Sequence, residues 1–248
     1  MDRKVAFFVD GGYFIRRIKY FHRKYYPAQL LPSSIVLHIL NQLVELHQHH
    51  FDRHELYRVY YYDAPPPDKQ IREPVPREGH TGLATRNFKK EDDYQFQTDL
   101  HTQLRKTRKT ALRMGELSGG KDWLLKDEIL SKLLSKELTV ENLQPEHFRL
   151  NIRQKGVDTR IGVDVASLTL NKLVDTIVLF AGDADFVPVA KMARTHGVDV
   201  ILDPLHSTQV SKSLIHHIDG RKSFDIVSYL KESYGGIEPD TKPPWWQN

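Results

Sequence analysis

Two apolar runs of this chain lead into acid. Val5 to Val9 (VAFFV) runs into Asp10, and Thr176 to Ala181 (TIVLFA) runs through Gly182 into Asp183 and Asp185. In an open parallel sheet, ligands bind just beyond the carboxyl ends of the strands. If these two strands are neighbours, three carboxylates converge on one edge. Like charges that close raise one another's pKa unless a cation lies between them. Carboxylate oxygens in a chain with no cysteine select Mg²⁺ or Mn²⁺ over zinc. Two further acids, Asp158 and Asp164, stand in the stretch KGVDTRIGVD. Asp164 borders the apolar stripe Ile161, Val165, Leu168, where a carboxylate needs a partner or a metal. Six helical residues rise about 9 Å, so one ion is not easily shared by both acids. The arrangement expected is a loop-like Asp158 nearer the ion, with Asp164 behind it or holding a second ion. Each acid alone has an ordinary explanation as a turn residue or helix N-cap; the five together are harder to explain that way.

The patterning around these acids is that of alternating strands and helices. Val5–Val9 has the continuous apolar character of a strand buried on both faces, stopped by a turn at Asp10-Gly11-Gly12. A start signal at Pro32-Ser33-Ser34 precedes apolar residues at Val36, Ile39, Leu40, Leu43 and Leu46, spaced for a helix. Leu56 to Tyr62 (LYRVYYY) predicts a second strand, and the Pro- and Gly-rich stretch from Asp63 to about Thr85 a mobile loop. Phe88 to Arg108 predicts a helix, and Ala111 to Leu117 a short strand ending at Ser118-Gly119-Gly120. Residues 121–150 read as an insertion with one amphipathic helix. Its apolar face must be covered by its own domain or by a second copy, which makes a homodimer one expectation. Asp158 to Val174 predicts a helix, Thr176 to Ala181 a strand, Phe186 to His196 a helix with Pro188 in its first turn, and Val198 to Leu202 a further strand. Short apolar strands alternating with helices argue for a mainly parallel α/β sheet with right-handed crossovers. The domain expected is residues 1–234, followed by a frayed Pro- and Gly-rich tail, 235–248, in which Trp245 and Trp246 read as an unstructured end sooner than as a docking pair.

Composition bounds the rest. The 248 residues carry 36 Lys and Arg against 32 Asp and Glu, a formal charge of +4. Hydrophobic residues make up 40%, enough for a packed core. No run of about 18 apolar residues predicts a membrane span, and the residues after Met1 do not read as a secretory leader. The lack of cysteine fits a cytoplasmic protein. A pI near 9.0 permits a polyanionic partner without requiring one.

Taken together, VAFFVDGGYF, QKGVDTRIGVDVASL, IVLFAGDADFVPVA and HGVDVILD resemble the NYN domain, the LabA-like branch of the PIN-like nucleases. The four segments occur in the family order and span residues 5 to about 230. The resemblance implies a three-layer α/β/α fold around a mainly parallel sheet, carrying 121–150 as a helical insertion. It also implies a divalent-metal-dependent nuclease, most readily an endoribonuclease, using Mg²⁺ or Mn²⁺ in the cytoplasm. Carried over by motif, Asp10, Asp158, Asp183 and Asp185 take the catalytic, metal-binding places, and Asp164 the second acid of the helix. Tyr13 stands where many members have Asn, and Ala181 where Ser is frequent. Substrate contacts would fall to Arg16, Arg17, Lys155, Arg160 and Lys191, with Tyr13 and Tyr20 offered to unpaired bases and Phe14 left to core packing. RNA is the expected partner, with DNA the alternative polymer.

Other readings weigh less. His47, His49, His50 and His54 invite a metal, yet they flank a helix end where histidine suits the dipole. A haloacid-dehalogenase-type phosphatase needs a second Asp two residues after the first, where this chain has Gly12. The stronger rival is a non-catalytic RNA-binding module on the same fold, whose mark would be loss of acids; all five are present.

Overall fold

The computed structural model describes residues 3–51 and 54–246, with the backbone alone for Asp158. The elements in chain order are β1 (Lys4–Asp10), α1 (Gly11–Tyr25), α2 (Ser33–His50), β2 (Glu55–Asp63), β3 (Gln70–Arg72), β4 (Thr85–Asn87), α3 (Asp92–Lys106), β5 (Thr110–Met114), β6 (Glu116–Leu125), α4 (Asp127–Leu134), β7 (Phe148–Lys155), α5 (Val157–Leu170), β8 (Thr176–Phe180), α6 (Val187–Thr195), β9 (Asp199–Asp203), α7 (Lys212–Ile215), β10 (Gly220–Arg221) and α8 (Ile226–Ser233). They form two compact units: Met1–Asp63, Asp99–Gly115 and Gly156–Asn248 in the first, Ala64–Thr98 and Glu116–Lys155 in the second.

The first unit is built on a six-stranded sheet in the order β10-β9-β8-β1-β2-β5, with every neighbouring pair parallel. The apolar runs are continuous because both faces are covered. Ala6 and Phe8 of β1, Tyr60 and Tyr62 of β2, Ile177 and Leu179 of β8, and Val200 and Leu202 of β9 share a core with Ile161, Val165 and Leu168 of α5 and Ala190 and Ala193 of α6. On the opposite face Phe7 meets His47 of α2 and Phe180, and Phe180 meets Phe14 of α1. The fold is thus the three-layer α/β/α arrangement implied by the resemblance, with β1 and β8 adjacent in register Val9 to Phe180.

Five expectations change. Gly11 and Gly12 do not form a turn; they open α1, with Asp10 as N-cap. A Cβ on Gly11 would lie 2.5 Å from Tyr61 Cε1 and 2.7 Å from the Tyr62 carbonyl oxygen, so close packing, not turn chemistry, selects glycine there. The stretch 63–85 is not all loop, since β3 pairs antiparallel with β4 in the second unit. The Gly119-Gly120 pair, read as a stop, lies inside β6, where positive φ angles of 90° and 75° and a register shift against β7 mark a bulge. Residues 121–150 therefore hold part of a two-stranded ribbon and the short α4, rather than a helical insertion. Residues 235–246 are not frayed either: Pro243 is buried, and the indoles of Trp245 and Trp246 both donate to Asp225.

Candidate active site

The carboxyl edge of the sheet gathers aspartates because three strands end in one. Asp10 closes β1, Asp63 closes β2 and Asp203 closes β9, while Asp183 lies three residues beyond the end of β8. Helices packed on the sheet divide them into two kinds. Asp63 is buried and meets Nε2 of His101 on α3 at 2.9 Å. Asp203 is buried and meets Nε2 of His47 at 3.0 Å, while its other oxygen accepts from the Leu205 amide and the Ser223 hydroxyl. These are structural pairs, and the sequence reading passed over both acids. The signal was present in VYYYD and VILD, which end in acid just as VAFFVD does. The pairing with Asp203 also removes His47 from the metal reading of the histidine cluster.

Asp10 and Asp183 have no histidine partner among the described residues. Asp10 accepts the Tyr13 amide at 2.9 Å through Oδ1 and so caps α1. Burial raises its pKa above the ordinary Asp value; the Tyr13 N–H and Arg16 oppose the rise, and Asp183 and Asp63 add to it. Asp183 stands at the N-cap position of the short 3₁₀ turn Ala184–Phe186, yet its side chain makes no capping bond. Asp183 and Asp185 are both exposed. The ordinary explanation for Asp183, a helix cap, therefore does not hold.

Asp164 has the partner its position demands. Both oxygens take the Arg113 guanidinium, at 2.8 and 3.0 Å, and Oδ2 also accepts the Tyr62 hydroxyl at 2.8 Å. Burial, with Asp164 next, raises the Tyr62 pKa far above its usual value, so this hydroxyl is a neutral donor. Asp164 thereby ties α5 to β2 and β5. Asp158 is the second residue of α5, not loop-like; its side chain lies outside the described residues.

Tyr13 is buried, and its hydroxyl donates to the Pro204 carbonyl at 2.7 Å. Its ring covers Gly182, where a Cβ would lie 2.6 Å from Tyr13 Cε2. Tyr13 therefore fixes the loops after β8 and β9 instead of offering a free stacking face, and this accounts for an aromatic where the family has Asn. Phe14 is in the core as expected, whereas Tyr20 is exposed with the Arg17 guanidinium 4.8 Å from its ring centroid. Arg17 also donates twice to the Leu205 carbonyl, at 3.1 and 2.8 Å, so it braces a loop. Arg16 is exposed, stabilises the Asp10 carboxylate, and has its guanidinium near Gly12. Arg160 is exposed on the first turn of α5. Lys191 lines a cavity of about 640 Å³ with Arg194, His217, Asp199 and Asp219, at the amino ends of β9 and β10, away from the acids. Lys155 is the exposed last residue of β7, in the second unit.

An all-carboxylate donor set suits a hard divalent cation, and added positive charge would relieve the raised carboxyl of Asp10. Among the described residues, no three His, Asp or Glu side chains are grouped closely enough to hold an ion. Also among the described residues, no helix is long and apolar enough to cross a membrane.

The NYN-domain profile matches residues 117–221, a stretch that includes Asp158, Asp164, Asp183 and Asp185 and runs through 121–150; Asp10 lies outside it. No curated protein matches the chain. A solved structure of a protein of unknown function from Vibrio parahaemolyticus is similar over 90% of this chain and 94% of that one, at 14% identity and a TM-score of 0.43. NYN domains are PIN-like nuclease domains, a class that usually uses divalent metals. Residues 117–221, less than half of the 248, are thus similar to the NYN domain.

Proposed function

We propose that this protein is a divalent-metal-dependent endoribonuclease acting on unpaired RNA at the carboxyl edge of its sheet. The observation that carries this reading is the pair Asp10 and Asp183: one carboxyl raised by burial and by the other's charge, the other exposed and making no cap bond. By resemblance Asp10, Asp158, Asp183 and Asp185 would hold Mg²⁺ or Mn²⁺, and of these Asp10 and Asp183 are near enough to feel each other's charge. A bound ion of this kind lowers the pKa of water and neutralises charge building on the phosphoryl oxygens. The remaining residues orient and support. Arg16 beside Asp10 and Arg160 on α5 would draw the phosphate backbone toward the acids. Tyr13 and Arg17 hold the Pro204–Leu205 backbone in place, and the Asp164–Arg113–Tyr62 contact anchors the middle of α5. In Asp183→Asn, cleavage of single-stranded RNA should fall at least about 100-fold while RNA affinity stays within a factor of about three. Cleavage at the wild-type rate would refute the assignment.

One observation favours a second reading, a non-catalytic RNA-binding module. Asp164, a metal ligand by resemblance, is fully engaged by Arg113 and Tyr62. RNA retention without cleavage in Mg²⁺ or Mn²⁺ would establish that module.

A further inference from the structure

The C-terminal segment brings two indoles to one carboxylate. Trp245 lies face to face on the His206 ring, with centroids 4.2 Å apart and planes 3° from parallel. The rings of Phe21 and Tyr25 meet it edgewise, at 5.8 and 6.5 Å. Its Nε1 donates to Asp225 Oδ1 at 2.9 Å, and the Trp246 Nε1 donates to Oδ2 of the same carboxylate. The His206 ring is held by its own Nε2 against the Phe224 carbonyl, 2.9 Å away. The chain reaches this position through Gly235 and Gly236, with φ of 66° and 88°.

A flat ring face beside a carboxylate that accepts two neighbouring N–H groups has a clear counterpart among the bases. Guanine presents N1–H and N2–H side by side on its Watson–Crick edge. Adenine, cytosine and uracil each present a single donor position there, flanked by acceptors or a C–H. The platform adjoins the acid edge: His206 follows Asp203, and the intervening Pro204 and Leu205 carbonyls are held by Tyr13 and Arg17. We propose that His206 and Asp225 form a binding site for an unpaired guanine, filled by Trp245 and Trp246 until nucleic acid displaces them. This inference rests on the RNA-directed reading above and specifies which base that site prefers near the point of cleavage.

The test is fluorescence anisotropy in EDTA with two labelled RNA 12-mers, all uridine or with one central guanine, on the full chain and on Trp245→Ala/Trp246→Ala. The double variant should bind the guanine strand about 10-fold more tightly than wild type, with the uridine strand unchanged. Adding Asp225→Asn, which keeps the α8 cap, should erase that preference. Tryptophan emission of the wild-type protein provides a second measurement should the variant misfold: a red shift on saturation with the guanine strand supports displacement, and unchanged emission overturns it. Equal affinity of the double variant for both strands overturns the guanine site alone. Failure of every protein to bind either strand overturns the RNA reading and the guanine site with it.

Discussion

At the scale of single residues, Asp10 has two roles that oppose each other. It caps α1 through Oδ1, and it is a half-buried carboxyl whose pKa is raised by burial and by Asp183 and Asp63. A carboxyl with a raised folded-state pKa binds its proton more tightly in the folded state. Stability therefore falls as pH rises from the unfolded value, about 3.9, through the folded one. Asparagine keeps the capping acceptor and removes the charge. In EDTA, Asp10→Asn should melt about 2–4 °C above wild type at pH 7.5, and the gap should close toward pH 4. A variant that melts lower at pH 7.5 would mean that the ionised carboxylate stabilises the fold. Mn²⁺ should raise the melting temperature of the wild type and leave Asp10→Asn where it was, because only the protein with its carboxylate intact gains from binding.

At the scale of elements, the site depends on close contacts between segments distant in sequence. Gly182→Ala would drive a methyl into the Tyr13 ring, 2.6 Å from its Cβ position, and should destabilise by about 1–3 kcal/mol. Chemical denaturation measures this directly. Cleavage should fall as well, since Tyr13 holds the Pro204 loop. Asp164→Ala leaves Arg113 and the Tyr62 hydroxyl without their acceptor and should cost about 1–3 kcal/mol. In a double-mutant cycle with Arg113→Ala the two losses should be strongly non-additive; additivity would deny the clamp. The strands carrying Asp10 and Asp183 were legible because burial on both faces leaves an unbroken apolar run. The acids were legible because they end or follow such runs. Asp63 and Asp203 were not separable from them, since what decides their fate is a histidine arriving from α3 or α2, and that is a tertiary fact. Glycine marks turns only statistically: Gly11 is required by the closeness of Tyr61 at the start of a helix, and Gly119-Gly120 by a bulge. The anchoring of Trp245 and Trp246 was hidden for the same reason, as nothing local announces Asp225 as their acceptor.

At the scale of the whole molecule, a net charge of only +4 conceals an uneven distribution. Within α1, Arg16, Arg17, Lys19, Arg23 and Lys24 occur with no acid, on the helix that Asp10 caps. Of these, Arg16 acts directly on Asp10, which suits it to draw a phosphate backbone toward the acids. RNA affinity should therefore fall linearly with the logarithm of salt concentration. Arg16→Ala and Arg160→Ala should each lower that slope by about 0.7; an unchanged slope in both would place the phosphates elsewhere. The central claim is that the acids at the sheet edge cleave RNA with a divalent metal. Its most direct test is an assay on labelled single-stranded RNA and DNA, in Mn²⁺, Mg²⁺ or EDTA, with wild type beside Asp10→Asn. RNA should be cut internally, only with metal present, and not by the variant; RNA left intact by the wild type in both metals, or cut equally by Asp10→Asn, would refute the nuclease assignment.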